Sequence, residues 1–182
     1  MSHSNCQRFK AKSKKITCNL VAFVVALTLT NIPVLVMAQD FNAGMAAAQR
    51  GDYATALRQW KPLAEQGHAA AQFNLGLMYA DRLGVAQSDS KAVHWWRLSA
   101  KQGFTAAQTS LAWMYANGWG VSRDLISGYM WSSIAATHGH QDAAQMRDLV
   151  ASYMTPSNIT EAQRRARACM EADYRGCDYE GN

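Results

Sequence analysis

No stretch of the sequence after residue 38 alternates apolar and polar residues as a strand does, so helix is the only regular structure to assign. Without strands there is no glycine-rich turn following one to cradle a phosphate, which excludes nucleotide chemistry of that kind. Histidine is sparse: after residue 38 there are only His68, His94, His138 and His140, the last two standing two apart. That spacing suits neither a zinc-binding helix face nor the i, i+4 pair of a metalloprotease, so each is read as a surface or cap residue and no metal is expected. Ser132-Ser133 lacks a glycine elbow to strain a nucleophile. Asp81 and Asp89 flank one loop and are read as capping residues, not as a carboxylate pair facing a cleft. With no acid–base constellation, the chain is not expected to be an enzyme or to hold a cofactor.

Cysteine is also scarce, and there is no CxxC. Of the four cysteines, Cys6 and Cys18 precede residue 38, leaving Cys169 and Cys177. In an oxidising compartment that pair is read as a disulfide, closing a short loop for about 2.5 kcal/mol on the chain-entropy account. Charge of one sign is missing where it would matter. The chain has 18 Lys and Arg against 13 Asp and Glu, but Arg8, Lys10, Lys12, Lys14 and Lys15 supply the whole excess, and residues 39–182 balance at 13 each. No cationic stripe survives for nucleic acid. The one local excess, Arg164, Arg165 and Arg167, has Glu161 and Glu171 beside it and is read as a solvated helix face.

Those five basic residues open a leader. They are followed by an apolar run from Ile16 to Val36, densest at Leu20–Leu29, and by Val36-Met37-Ala38, with small residues at −3 and −1. Residues 1–38 are therefore read as a signal peptide cleaved before Gln39, and Cys18 is no lipoprotein site because Lys15-Ile16-Thr17 makes a poor lipobox. The alternative is an uncleaved anchor, since 21 residues suffice to span a bilayer. Asn31 and Pro33 within the run favour cleavage and an exported product of one domain's size.

What the remainder does contain is a repeat. AAQFNLGLMYADRLGV (70–85) returns as AAQTSLAWMYANGWGV (106–121), and 67–102 aligns with 103–138 without a gap at twelve identical positions. A fixed 36-residue period made only of helices predicts an all-α, αα-superhelical solenoid of antiparallel pairs. In the first copy Ala71, Leu75, Met78 and Tyr79 share a face, the ADRLGV loop ends the helix, and Gly84 and Gly120 are placed for positive φ. The second helix starts near Asp89 or Asp124, presents Ala92, Val93, Trp96 and Ala100 to the interior, and stops at Gly103. Gly76 is small where two helices approach. Degraded copies flank this core. Residues 41–50 and 54–66 form an entry pair, where Trp60 aligns with Trp96 and Pro62 should kink the helix. Gly139 opens a third copy, with Arg147 at the position of Leu111, and Thr155-Pro156 starts a closing helix with proline at its first position.

These residues resemble the Sel1-like repeat family, a relative of the tetratricopeptide repeat. The resemblance rests on Ala71-Gln72, Leu75-Gly76, Met78-Tyr79, Gly84-Val85, Lys91-Ala92, Trp95 and Gln102-Gly103. It recurs at Ala107-Gln108, Leu111, Met114-Tyr115, Gly118, Gly120-Val121, Trp131 and Ala135-Ala136. Arg82 replaces a loop glycine, and Leu125–Gly128 leave the pattern, which weakens transfer of loop detail. The resemblance implies a TPR-like entry pair at 39–66, repeats at 67–102 and 103–138, and at 139–182 a degenerate repeat with a capping helix and disulfide tail. It also implies an adaptor, exported to the bacterial periplasm or secreted, that binds a protein or peptide with the first helices lining its concave face. On that face the expected contacts are Phe73, Leu77 and Trp113 as an apolar strip, rimmed by Asp81 and Asn117, with Thr109, Gln145, Leu149 and Tyr153 beside it. Two other readings stay open: a structural component of an envelope complex using its convex face or caps, and a periplasmic hydrolase of lactamase type. The second fits poorly, because members described so carry a cysteine pair in every repeat.

Overall fold

The computed structural model describes residues 40–177, so the leader and its cleavage before Gln39 lie outside the described residues, as does 178–182. Within 40–177 there are eight helices and no strand: α1 (Phe41–Gln49), α2 (Tyr53–Glu65), α3 (Ala69–Ala80), α4 (Asp89–Ala100), α5 (Thr105–Asn117), α6 (Leu125–Thr137), α7 (Gln141–Ala151) and α8 (Pro156–Glu171). Most starts have a local chemical cause. Asp40, Asp52, Ser88, Asp124 and Thr155 each accept a backbone N–H from the first turn that follows, and Pro156 takes the position where a missing N–H costs nothing. His68 caps α3 through Nδ1, 3.2 Å from the Ala71 nitrogen. The cap of α4 corrects the sequence reading. Ser88, not Asp89, closes that helix, and Ser88 stands one full period before Asp124. Pro62 lies inside α2, which nonetheless continues to Glu65.

Each helix from α2 to α7 packs on its predecessor, while α8 packs on α6. Two apolar clusters result. One gathers Ala47, Ala56, Trp60, Ala64, Ala71, Leu75 and Met78 from α1–α3. The other runs from α4 to Cys177 around Trp96, Leu111, Met130, Trp131, Ile134 and the disulfide. No helix among the described residues is long and apolar enough to cross a membrane.

Two devices fix the path of the chain. The first is the loop between paired helices. Gly120, at φ 66°, brings its Cα so close to the backbone of Asp89 and Ser90 that a Cβ there would stand 2.3 Å from the Asp89 carbonyl carbon. Gly84, at φ 70°, meets Tyr53 one unit earlier in the same way. Arg82, expected to disturb this loop, does not: it adopts φ 60°, the left-handed conformation that Gly118 takes at φ 76° one period later. Arg82 thus keeps the geometry at a local conformational cost of about 1–2 kcal/mol.

The second device is a buried glutamine. Gln72 donates from Nε2 to the Ala64 carbonyl at 3.0 Å and accepts from Gln102 at 2.7 Å, pinning α3 to the end of α2. Gln108 repeats the bond to Ala100 at 3.2 Å, but its Oε1 has no partner among the described residues because His138 replaces Gln102. His138 turns outward instead, sharing a 2.7 Å hydrogen bond with the Tyr174 hydroxyl. That bond ties the loop closed by the Cys169–Cys177 disulfide (Cα–Cα 5.1 Å) to the end of α6.

Candidate functional site

The helices α1, α3, α5 and α7 are the first members of their units, and side chains on them that are not needed for packing stand on one face. Trp113 on α5 is 43 % exposed although indole is costly to leave in water; the exposed Leu149 follows on α7 and the exposed Tyr153 in the turn just after it. Asp81 and Asn117 end α3 and α5 and are exposed; Leu77 is half-buried and Gln145 exposed. Phe73, half-buried like Leu77, has its ring 5.1 Å from that of Phe104, the N-cap residue of α5. One expected contact lies elsewhere. Thr109 is buried, its hydroxyl donating to the Thr105 carbonyl at 3.1 Å and lying 3.4 Å from His140 Nδ1. A hydroxyl so placed is occupied within the fold, and Thr109 is withdrawn from the surface strip.

The rest of this face is indented at successive units. One concavity of 260 Å³ lies among Ala48, Gln49, Tyr53, Leu77 and Leu83, floored by Trp60. The next, 410 Å³, lies among Ala80, Asp81, Asp89, Trp113 and Trp119, floored by Trp96. A third, 350 Å³, is lined by Ala116, Asn117, Leu125, Leu149 and Tyr153 and has Arg123 at its edge. Trp113 also walls a 370 Å³ hollow with Asp142, Gln145 and Leu149. The first three are one site written three times. Ala48, Ala80 and Ala116 correspond, as do Gln49, Asp81 and Asn117, then Tyr53, Asp89 and Leu125, then Leu77, Trp113 and Leu149. Sequence reasoning found several of these positions singly. It missed the correspondence, because each hollow is closed by helices of two consecutive units, and the first unit is offset by a loop four residues shorter.

No group of three or more metal-ligating side chains occurs among the described residues. Asp52, whose carboxyl its hydrogen bonds with Thr55 hold below the ordinary value, caps a helix, and Glu161, held down to about 2 by Arg164 and Arg165, belongs to a surface ion pair; neither is part of this face.

Comparison with known proteins agrees with the period. The Sel1 repeat pattern matches residues 69–104 and 105–140, each 36 residues long and starting two residues later than the boundaries read from the internal alignment. A Sel1 repeat protein from Oxalobacter formigenes shares 31% identity and a TM-score of 0.56 over 62% of this chain and 86% of its own. The chain belongs to the Sel1 repeat family. A protective antigen present in uropathogenic Escherichia coli strains, c5321, displays the same SLR fold with a TM-score of 0.70 and 25% identity over 80% of this chain. The Sel1 repeat chain described here spans about a third of that antigen's length, 33% of it. No curated protein sequence matches. Sel1 repeat solenoids are typically protein–protein interaction modules and in general non-catalytic.

Proposed function

We propose that this Sel1 repeat protein is an exported interaction module whose face of first helices receives an extended segment of a protein partner. The observation that carries the reading is Trp113. It is a large, partly exposed indole on a regular helix, and it walls two consecutive hollows and the neighbouring one at α7. Exposed aromatic anchors beside polar rims are where binding energy concentrates. The reading groups Trp113 with Leu77, Asp81, Asn117, Gln145, Leu149 and Tyr153. Export rests on the basic-then-apolar leader and on the disulfide, which persists in oxidising compartments. A protective antigen among the structural relatives is in keeping with it.

The test is chemical crosslinking in the native cell envelope, with the parent compared against a Trp113→Ser/Leu149→Ser variant of unchanged helicity. A partner captured by the parent and lost by the variant supports the reading. A partner captured equally by both moves the site to the convex face or caps. The mass of the protein in the exported fraction checks the leader: a chain beginning at Gln39 is expected, and a membrane-held chain retaining residues 1–38 would establish an anchor.

A further inference from the structure

The three homologous hollows differ in a way that specifies what they accept. At the first, the corresponding positions hold Gln49, Tyr53, Leu77 and Leu83, which are neutral and mostly apolar. At the third, Asn117 and Leu125 replace the polar pair, Leu149 is the apolar wall, and the only charged lining residue among the described residues is Arg123, whose Nε donates to the Ala116 carbonyl. At the middle hollow alone both polar positions are acidic, Asp81 and Asp89, and both walls are indoles, Trp113 and Trp119.

Neither carboxylate caps a helix through a hydrogen bond. The caps on either side are made by Ser88 and by backbone groups, the Asp81 N–H among them, and neither the Asp81 nor the Asp89 carboxylate has a hydrogen bond or ion pair among the described residues. Among the described residues no Lys, Arg or His lines the hollow. The surrounding backbone partly offsets itself, since Asp81 sits at the negative C-terminal end of α3 and Asp89 at the positive N-terminal end of α4. Two unpaired negative charges remain at the rim of an aromatic box. Trp119, 54 % exposed, lines the hollow from a loop whose path is set by its flanking glycines, both at positive φ, and by the close seat of Gly120 on Asp89.

An aromatic box with carboxylates at its rim selects cations, through the negative face of each indole and through charge-assisted hydrogen bonds. The guanidinium of arginine uses both at once, stacking flat on an indole while its edge meets a carboxylate. At 410 Å³ the hollow falls within the range of sites that enclose a small group. We propose that the hollow between Asp81, Asp89, Trp113 and Trp119 receives a basic side chain, arginine foremost, of the partner segment, with apolar side chains entering the hollows on either side. This rests on the reading of the face as a protein-binding surface and adds the chemistry of the segment.

The test is selection of a phage-displayed random heptapeptide library on the disulfide-intact protein, followed by synthesis of the best binders. Expected is enrichment of arginine or lysine at one position with apolar residues near it. Replacing that arginine by citrulline, which keeps shape and loses charge, should weaken binding about tenfold or more. Asp81→Asn/Asp89→Asn should cause a similar loss and remove the discrimination between arginine and citrulline, with thermal stability checked to be unchanged. Trp119→Ala should weaken the arginine peptide and leave a peptide without a basic residue unaffected. Selected peptides lacking a basic residue, or equal binding of the citrulline form, overturn the proposal. If those peptides still require Trp113, the protein-binding face stands without the basic pocket. If they are indifferent to Trp113→Ser, or if no peptide is selected, both readings fall.

Discussion

In α1–α2 and α3–α4 the second helix seats an indole against a glycine of the first, whereas at the same register of α5–α6 stand Ser132 and Ala112. A Cβ on Gly44 would lie 2.3 Å from Trp60 Nε1, and one on Gly76 would lie 2.2 Å from Trp96 Nε1. Both indoles donate back to the first helix, to the Phe41 carbonyl at 3.2 Å and the Phe73 carbonyl at 3.1 Å. In α5–α6 the large side chain has moved round the helix by one residue. Trp131 is 1 % exposed, while its counterpart Trp95 is half-buried, and Ser132 turns its hydroxyl to the Tyr129 carbonyl. The period therefore conserves the backbone path, and each pair fills its interior in its own way.

The largest expected effect breaks that comparison at its heaviest residue. Trp131→Ala removes a fully buried indole from the larger cluster and should cost about 3–5 kcal/mol in denaturant unfolding. Trp95→Ala, at the same repeat position but half-buried, should cost clearly less. Equal losses would mean the two pairs share one packing scheme after all.

Next comes the glycine–indole contact itself. Gly76→Ala places its methyl on the Trp96 ring and should cost about 1–3 kcal/mol, even though alanine favours helix. Gly76→Ala/Trp96→Ser imports the α5–α6 arrangement, and its loss should fall short of the sum of the single losses by about 0.5–3 kcal/mol, the range for residues in contact. Strict additivity would show that the glycine is not there for the indole.

Arg82 and Gly118 offer a smaller contrast at equivalent loop positions. Arg82→Gly should stabilise by up to about 1 kcal/mol, as left-handed strain exceeds the added entropy of the unfolded chain. Gly118→Arg should destabilise. The pair of melting temperatures checks both signs.

How much of this was legible in sequence follows from where each partner lies. The helical period, the loop glycines, the buried Ala92, Val93, Trp96 and Ala100, and the proline opening α8 were readable because their causes are local or recur at fixed spacing. Gln72 and Gln108 recur too, yet recurrence shows only that a position matters. Their partner carbonyls, at Ala64 and Ala100, belong to the preceding helix. Thr109 was misplaced for a similar reason: projection on one helix put it at the surface, and the arrival of His140 from α7 buries it. Gly76 and Trp96 were each recognised as packing residues without being recognised as one contact. The acidic character of the middle hollow was likewise divided between Asp81 and Asp89, which look like ordinary loop-flanking residues until the fold closes a box around them.

The smallest effect sets one carboxylate of the C-terminal region against one of the N-terminal region. Glu161 on α8 accepts from Arg164 at 2.8 Å and from Arg165 at 2.7 Å, and these hydrogen bonds hold its carboxyl at about 2, below the ordinary 4.5. Asp52, capping α2, is held below 3.8 chiefly by its hydrogen bonds with Thr55. A depressed folded value means that the unfolded chain binds the proton first. The stabilisation from Glu161 is thus complete above about 4.5 and is lost as pH falls toward about 2. Glu161→Gln should be less stable than the parent near neutrality, and the difference should vanish across that window. Because this site is solvent-accessible, the difference should be small and should shrink in high salt. Asp52→Asn should lose its pH-dependent difference at a lower onset, with only α2 showing faster hydrogen exchange, because the cap belongs to the smaller cluster. A Glu161→Gln difference that persisted unchanged at pH 2 would assign its effect to packing of the α8 side chains and not to charge.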